Sequence, residues 1–138
     1  MNIKIKKNGF IYIAKNKIKC AIGKNGLKLK KIEGDKTTPR GKFSLGKLYY
    51  RKDRIKLKAV NLNKKSIKKN MGWCHNVFNK KYNQEIKFKT YKDSEKLYRR
   101  DHKYDIFIVI NSIFPQGYFE YQLFILYILL SIGVDLDK

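Results

Sequence analysis

A thiol and an imidazole stand side by side at Trp73-Cys74-His75. Such a pair is the raw material of nucleophilic catalysis: the imidazole takes the thiol proton and the thiolate attacks a carbonyl. Their adjacency works against that chemistry. Consecutive residues of an extended chain point to opposite sides, whereas proton transfer needs both groups within hydrogen-bond reach. Cys74 is therefore read as structural. Cys20, the other cysteine, is read as a small core residue, the common role of a free Cys. Two cysteines without a C-x-x-C pair form no zinc or dithiol motif. The two histidines, His75 and His102, are too few to hold a metal without carboxylates. The sequence contains no G-x-x-x-x-G-K-[ST], no G-x-G-x-x-G and no H-E-x-x-H.

Other polar groups admit two readings each. Gly34-Asp35, Thr38-Pro39 and Gly41 read as turn chemistry, with Gly for positive φ, Pro for fixed φ, and Asp and Thr for local hydrogen bonds. The sharper alternative is the wall of a substrate cleft. Trp73 and Tyr82 could stack on a sugar or base, although burial is the commoner fate of an aromatic ring. Arg99-Arg100-Asp101 reads as a solvated charge cluster.

Length and composition bound what these residues can serve. At 138 residues the chain is expected to form a single domain, residues 1–138, large enough to hold a core without a disulfide or metal. Apolar residues make up 43% and aromatics 14%, which argues against disorder. Basic residues number 33 against 11 acidic ones, a net charge of +22. Only five of the basic residues are Arg, and 17 Ile and 11 Asn accompany just three Ala. Lys, Asn and Ile are the residues of A/T-rich codons, so drift in nucleotide composition accounts for the charge better than a dedicated nucleic-acid surface. Non-specific attachment to polyanions still follows from the charge. No signal peptide is visible, because the N-terminus alternates Lys with Ile. The one long apolar run, Leu123–Val134, falls short of the ~20 residues of a membrane span. It reads as a buried strand or helix, and no transmembrane helix is expected.

The elements that would position a site read as mainly β. Ile3 and Ile5 alternate with Lys4 and Lys6, Asn8-Gly9 suggests a type I′ hairpin, and Phe10–Ala14 continues the meander. Lys15-Asn16-Lys17 would turn the chain, and Ile18, Cys20 and Ile22 would share one face of a third strand. Asn25-Gly26 marks another turn. Phe43, Leu45 and Leu48-Tyr49-Tyr50 read as a strand, residues 51–70 as a surface excursion, and Ile86 and Phe88 as a further strand. Ser94–Arg100 reads as a short helical turn capped by Asp93 or Ser94. Ile106–Ile110 is continuous enough for a strand buried on both faces. The expected architecture is a sandwich or partly closed barrel.

Taken in order, these segments resemble a known family. The residues are Gly23-Lys24-Asn25-Gly26, Lys31-Ile32-Glu33-Gly34-Asp35, Thr38-Pro39-Arg40-Gly41-Lys42-Phe43 and Tyr50-Arg51-Lys52-Asp53-Arg54. Gly72-Trp73-Cys74, Tyr82-Asn83, Glu95-Lys96-Leu97-Tyr98-Arg99 and Tyr104-Asp105-Ile106-Phe107-Ile108-Val109-Ile110 continue the series. Together they resemble the small L,D-transpeptidase catalytic-domain (YkuD-like) proteins, most of all the compact, signal-poor alphaproteobacterial members. The resemblance covers about residues 9–111 and leaves 112–138 as a divergent apolar tail. It implies a mainly β L,D-transpeptidase-like fold in the periplasm or cell wall. It further implies cross-linking of peptidoglycan stem peptides: a Cys thiolate attacks the carbonyl after diaminopimelate, a His acts as base, and an amine takes the acyl group. No metal or organic cofactor is implied.

The same resemblance exposes a departure. The family carries a Gly-rich turn, a strand with a His, and then [ST]-x-G-C-φ-x-L after the strand matching Ile106–Ile110. Here the chain runs through Phe114-Pro115-Gln116-Gly117, Leu123-Phe124-Ile125-Leu126-Tyr127 and Ser131-Ile132-Gly133-Val134-Asp135-Leu136. Val134 follows Ser131-Ile132-Gly133 where Cys is expected, and Leu126 or Tyr127 stands where His would be. Neither His nor Cys occurs after His102. No catalytic residue is assigned, no substrate-binding residue is identified, and the chain is expected to be inactive. Three accounts compete: a degenerate or frame-shifted copy, favoured by the loss of Lys from the tail; a non-catalytic homologue that binds wall peptides; or a different alignment of the tail, which restores no nucleophile. A shortened tail should leave the sheet incomplete, its open edge promoting aggregation. The reading from another class is a basic binding module for nucleic acid or anionic cell-wall polymer. Against it stands the missing interleaving of aromatic and basic residues.

Overall fold

Alternation and turn residues explain most of the strands, and backbone hydrogen bonding explains the rest. The computed structural model describes residues 2–29, 34–57, 61–89, 91–112 and 124–127. These residues are all-β; no helix and no closed barrel occur among them. They divide into two compact units, Met1–Lys42 and Phe43–Lys138.

The first unit opens with an antiparallel meander of β1 (Ile3–Lys6), β2 (Phe10–Ile13) and β3 (Asn16–Lys19). Ile11 at its centre is 4% exposed. The turns differ from the expected ones. Lys6 pairs with Phe10, so three residues rather than two connect β1 to β2. In that loop only Gly9 has positive φ (75°), and its amide bonds the Lys6 carbonyl at 3.1 Å. This is the three-residue hairpin ending in a left-handed glycine, which needs a single left-handed residue instead of the two of type I′. The next turn is Ala14-Lys15, because Ile13 pairs with Asn16, not Lys15-Asn16-Lys17. β3 stops at Lys19, so the face expected to run on through Cys20 and Ile22 ends early, and Cys20 is only half-buried. At Asn25-Gly26 the expected turn is present: the Gly26 amide bonds the Gly23 carbonyl at 2.8 Å. It leads into β4 (Leu27–Lys28), which pairs in parallel with β5 (Thr38–Pro39).

The second unit is built on β6 (Phe43–Tyr50). Its apolar alternation slips phase at Gly46-Lys47, and the structure explains why. Ile108 faces Leu48 but Ile110 faces Leu45, so Gly46 and Lys47 together oppose Val109 in a bulge. A Cβ at Gly46 would lie 3.1 Å from the Val109 carbonyl oxygen, so glycine suits the close approach. β7 (Lys64–Ser66), β8 (Met71–Cys74), β9 (Glu85–Lys87), β10 (Ser94–Lys96), β11 (Ile106–Ser112) and β12 (Phe124–Tyr127) complete the chain order. One sheet runs β12-β11-β6-β7 and the other β10-β8-β9.

Two expectations fail here. Residues 51–70 are not only a surface excursion: β7 pairs in parallel with β6, and Ile67 is 4% exposed. Ser94–Lys96 is a strand, not a helical turn, pairing with Gly72–Cys74. β8 is buried throughout, and buried backbone groups require partners; that demand outweighs the capping propensity of Asp93 and Ser94. The four-residue β12 lies in the apolar run and pairs with β11, Leu126 opposite Ile108 and Tyr127 opposite Phe107. The rest of the tail, including Val134, lies outside the described residues, as does the expected incomplete edge.

The two sheets of this unit share a core of Tyr49, Ile67, Met71, Trp73, Leu97, Tyr104, Phe107 and Val109. Tyr49 and Phe107 are cross-strand partners whose rings stack at 4.7 Å. Trp73 from β8 meets both edge-on, at 5.9 and 5.8 Å. Each such ring pair contributes ~0.5–1.5 kcal/mol beyond area burial. Ile106–Ile110 largely meets the expectation of two-sided burial, with Phe107, Ile108 and Val109 all at 6% exposure or less.

Ala14 has φ of 50° in its two-residue loop, a left-handed conformation unfavourable by ~1–2 kcal/mol for an L side chain. Ala14→Gly relieves it against the ~0.5–1 kcal/mol entropic disadvantage of glycine. The expected net gain is ~0.5–1 kcal/mol, read as a higher urea midpoint at unchanged slope.

Candidate functional site

Where β6 ends, Arg51 turns the chain. Its carbonyl accepts from the Arg54 and Ile55 amides at 2.9 and 2.7 Å, and its own amide donates to the Asp105 carbonyl at 2.8 Å. The Arg51 residue is only 3% exposed, so its guanidinium must be satisfied by protein. Nε and Nη2 donate to the two oxygens of Asp53 at 2.8 and 2.6 Å. Nη1 donates to the Arg99 carbonyl at 2.7 Å. The Tyr98 ring lies 3.6 Å from Cζ, and its hydroxyl donates to Asp53 at 3.0 Å. Hydrogen bonds from Arg51 first, and then from Tyr98, hold the Asp53 carboxyl well below its ordinary range.

A parallel set of contacts fastens the neighbouring loop. Arg54 donates to Asp105 at 2.7 Å and to the carbonyls of Asp101 and Arg100 at 3.1 and 2.9 Å. His102 Nδ1 lies 2.6 Å from Asp105 on the exposed side. Arg99 grips Asp101 through Nε and Nη2, and those bonds bring the Asp101 pKa down to about 2. Arg99-Arg100-Asp101 is thus solvated only in part, because its carbonyls are what Arg51 and Arg54 hold. These carboxylates accept from arginine forks that tie neighbouring loops together, which suits fastening rather than proton transfer.

The Cys–His pair is not assembled. Cys74 is 0% exposed, while His75 is exposed and its Nε2 lies 3.2 Å from the Tyr91 carbonyl. Trp73 is a core ring whose Nε1 donates to Asn83 Oδ1 at 2.8 Å. Tyr82 is half-buried. Sequence reasoning missed the role of Asn83, which takes a positive φ of 60° and donates its amide to the Cys74 carbonyl; the signal was an Asn two residues before β9. It also missed Glu85, which accepts from Tyr49 Oη at 2.9 Å and from Lys65 at 2.8 Å. Burial, and then Glu85, push the Tyr49 hydroxyl pKa up.

In the first unit the loop before β5 follows the turn reading. Asp35 Oδ1 accepts from the Thr37 amide and hydroxyl at 3.0 and 2.8 Å. Thr38-Pro39 departs from it: these residues form β5, and Thr38 Oγ1 accepts from the distant Gly23 amide at 2.7 Å instead of a local donor. A Cβ at Gly23 would come within 2.4 Å of the Lys36 carbonyl oxygen, so the Gly23 and Thr38 segments are locked by backbone proximity. Glu33 lies outside the described residues.

Among the described residues no three His, Cys, Asp or Glu side chains gather as metal ligands, and no helix is long and apolar enough to cross a membrane. No family model, no curated protein and no solved structure matches the chain. Among the described residues the fold is all-β, and the polar cluster around Arg51, Arg54 and Arg99 is structural.

The cluster and the two thiols can each be tested in solution. Arg51→Lys removes the planar fork and the stacking on Tyr98, and should lower stability by ~1–3 kcal/mol, measured by urea unfolding. Asp101, depressed from 3.8 to about 2, adds stability above pH 3.8 that is lost as pH falls through 2; NMR titration of its carboxyl should give the low midpoint, and Arg99→Gln should return it to the ordinary range. A thiol reagent should spare Cys74 until the protein unfolds, while Cys20, half-buried with a pKa raised by burial, reacts slowly in the native state; rapid native labelling of Cys74 would reverse its structural assignment.

Proposed function

We propose that this chain is a catalytically silent protein of the L,D-transpeptidase type, with a β-sandwich or partly closed barrel fold. The observation that carries the reading is the way the resembling segments depend on one another. Tyr50-Arg51-Lys52-Asp53-Arg54 is fastened to Glu95-Lys96-Leu97-Tyr98-Arg99 through Arg51, Asp53 and Tyr98. It is fastened to Tyr104-Asp105 through Arg54 and the Arg51 amide. Gly72-Trp73-Cys74 packs on the same core through Trp73.

Silence follows from the chemistry. A thiolate nucleophile needs access and a base, and Cys74 has neither: it is sealed in the core, and the His75 imidazole is held toward Tyr91. Residues 103–138 hold no His or Cys. The family's Cys and His are then missing from the positions where the resemblance expects them, and a degenerate copy is the account we favour. Incubation with tetrapeptide stems and an amine acceptor should give no cross-linked product and no acyl adduct by mass spectrometry. Either species would end the proposal.

One observation favours the second reading, a basic module for nucleic acid or anionic wall polymer. Asp53, Glu85, Asp101 and Asp105 are engaged by Arg51, Lys65, Arg99 and Arg54. With 33 basic against 11 acidic residues, that leaves a large surplus of lysine facing solvent. A phosphate-binding surface gives a linear fall of log affinity with log salt, with a slope near the number of contacts; a shallow slope would remove this reading.

A further inference from the structure

The loop between β8 and β9 exposes an apolar pair at its tip. Phe78 is 95% exposed and Val77 49%. A single exposed apolar residue needs no explanation, but this loop is built to hold its tip in place. Asn76 Oδ1 accepts the Phe78 amide at 3.0 Å, and the Asn76 carbonyl accepts the Asn79 amide at 3.0 Å. Asn79 repeats the device, its side chain taking the Lys81 amide at 2.9 Å and its carbonyl the Tyr82 amide at 2.7 Å. Two side-chain-capped turns therefore follow each other and fix the backbone on both sides of Phe78.

The same end of the sheet gathers a second loop. Asn76 Nδ2 donates to Asp93 at 3.0 Å, and His75 Nε2 meets the Tyr91 carbonyl. This brings up Tyr91, itself 67% exposed. Lys80, Lys81, Lys89 and Lys92 are all exposed on these two loops, four cationic side chains against the one carboxylate of Asp93, which accepts from Asn76. Exposed apolar side chains on loops with a surplus of lysine are the pattern of a surface that enters the boundary of an anionic bilayer: the apolar tip sits among acyl chains and the lysines meet headgroups. A single-stranded nucleic acid would ask instead for successive rings along a groove, and Val77 offers no ring.

We propose that Val77 and Phe78 form an interfacial anchor that seats this protein on anionic lipid membranes, with Lys80, Lys81, Lys89 and Lys92 supplying the charge contacts. The inference is independent of the scaffold reading above. The test uses the full chain with phosphatidylcholine vesicles made with and without phosphatidylglycerol. Binding to the anionic vesicles is expected, and Phe78→Ala should weaken it about ten-fold, the effect of withdrawing one buried aromatic side chain. Phe78→Trp adds a fluorescent reporter at the tip, distinct from the buried Trp73; the emission of the introduced indole should shift to the blue on anionic vesicles and be quenched by brominated lipid. Affinity for a single-stranded oligonucleotide should be unchanged by Phe78→Ala. No binding to anionic vesicles, equal affinity of Phe78→Ala and parent, an introduced indole whose emission stays at its aqueous value, or an equal loss on the oligonucleotide would each overturn the proposal.

Discussion

A guanidinium withdrawn from water at the end of a strand is the constraint from which much of the second unit follows. Arg51 cannot lose its proton, so once buried it must find partners for its fork. Asp53 fills one side, the Arg99 carbonyl another, and the Tyr98 ring covers the face. Those contacts bring together stretches nearly fifty residues apart in the chain, with Arg51 and Arg99 separated by 48 positions. Burial of the charge without them would be strongly unfavourable. The turn after β6, the approach to β11 and the loop through Arg99 therefore stand or fall together.

The aromatic core lies next to this fastening and depends on the same strand. Tyr49 is two residues before Arg51, stacked on Phe107 and met edge-on by Trp73. The neighbouring strand pair brings its own polar demand: the Tyr49 hydroxyl reaches Glu85, which is also held by Lys65. Buried rings with a polar end find partners in this way. The consequence for function is that several chemically capable side chains of this unit are committed to holding it together. Cys74, Trp73, Arg51, Asp53 and Glu85 serve packing or fastening, whereas the loops carrying Phe78 and Tyr91 stay exposed.

Among the cysteines, position in the sheet decides chemistry. Cys74 closes a strand that is buried at every residue, and the following residue, His75, emerges on the exposed side. Adjacency in sequence thus separates the two groups in space, as expected of a period-2 backbone. Cys20 lies just past the end of β3 and is half-buried, because the meander ends at Lys19, three residues short of the alternation through Ile22.

Local pattern by itself determined the strands whose side chains alternate or run apolar, β1, β2, β6, β9 and β11, together with the turn reading of Asp35. It also determined that residues 103–138 hold neither Cys nor His, since that depends on residue identity alone. The tertiary structure decided what required distant partners. Ser94–Lys96 became a strand because buried β8 needed hydrogen bonds on that side. Lys64–Ser66 became one because β6 had an open edge. The slip at Gly46-Lys47 became a bulge only against Val109. Arg51 reads as one more cation in a basic chain and proved to be buried, for nothing in its neighbours along the sequence shows that the Arg99 carbonyl and Tyr98 will meet it. Periodicity reports which face of a strand is apolar; it carries no information on which remote groups will satisfy a buried charge or an unpaired backbone.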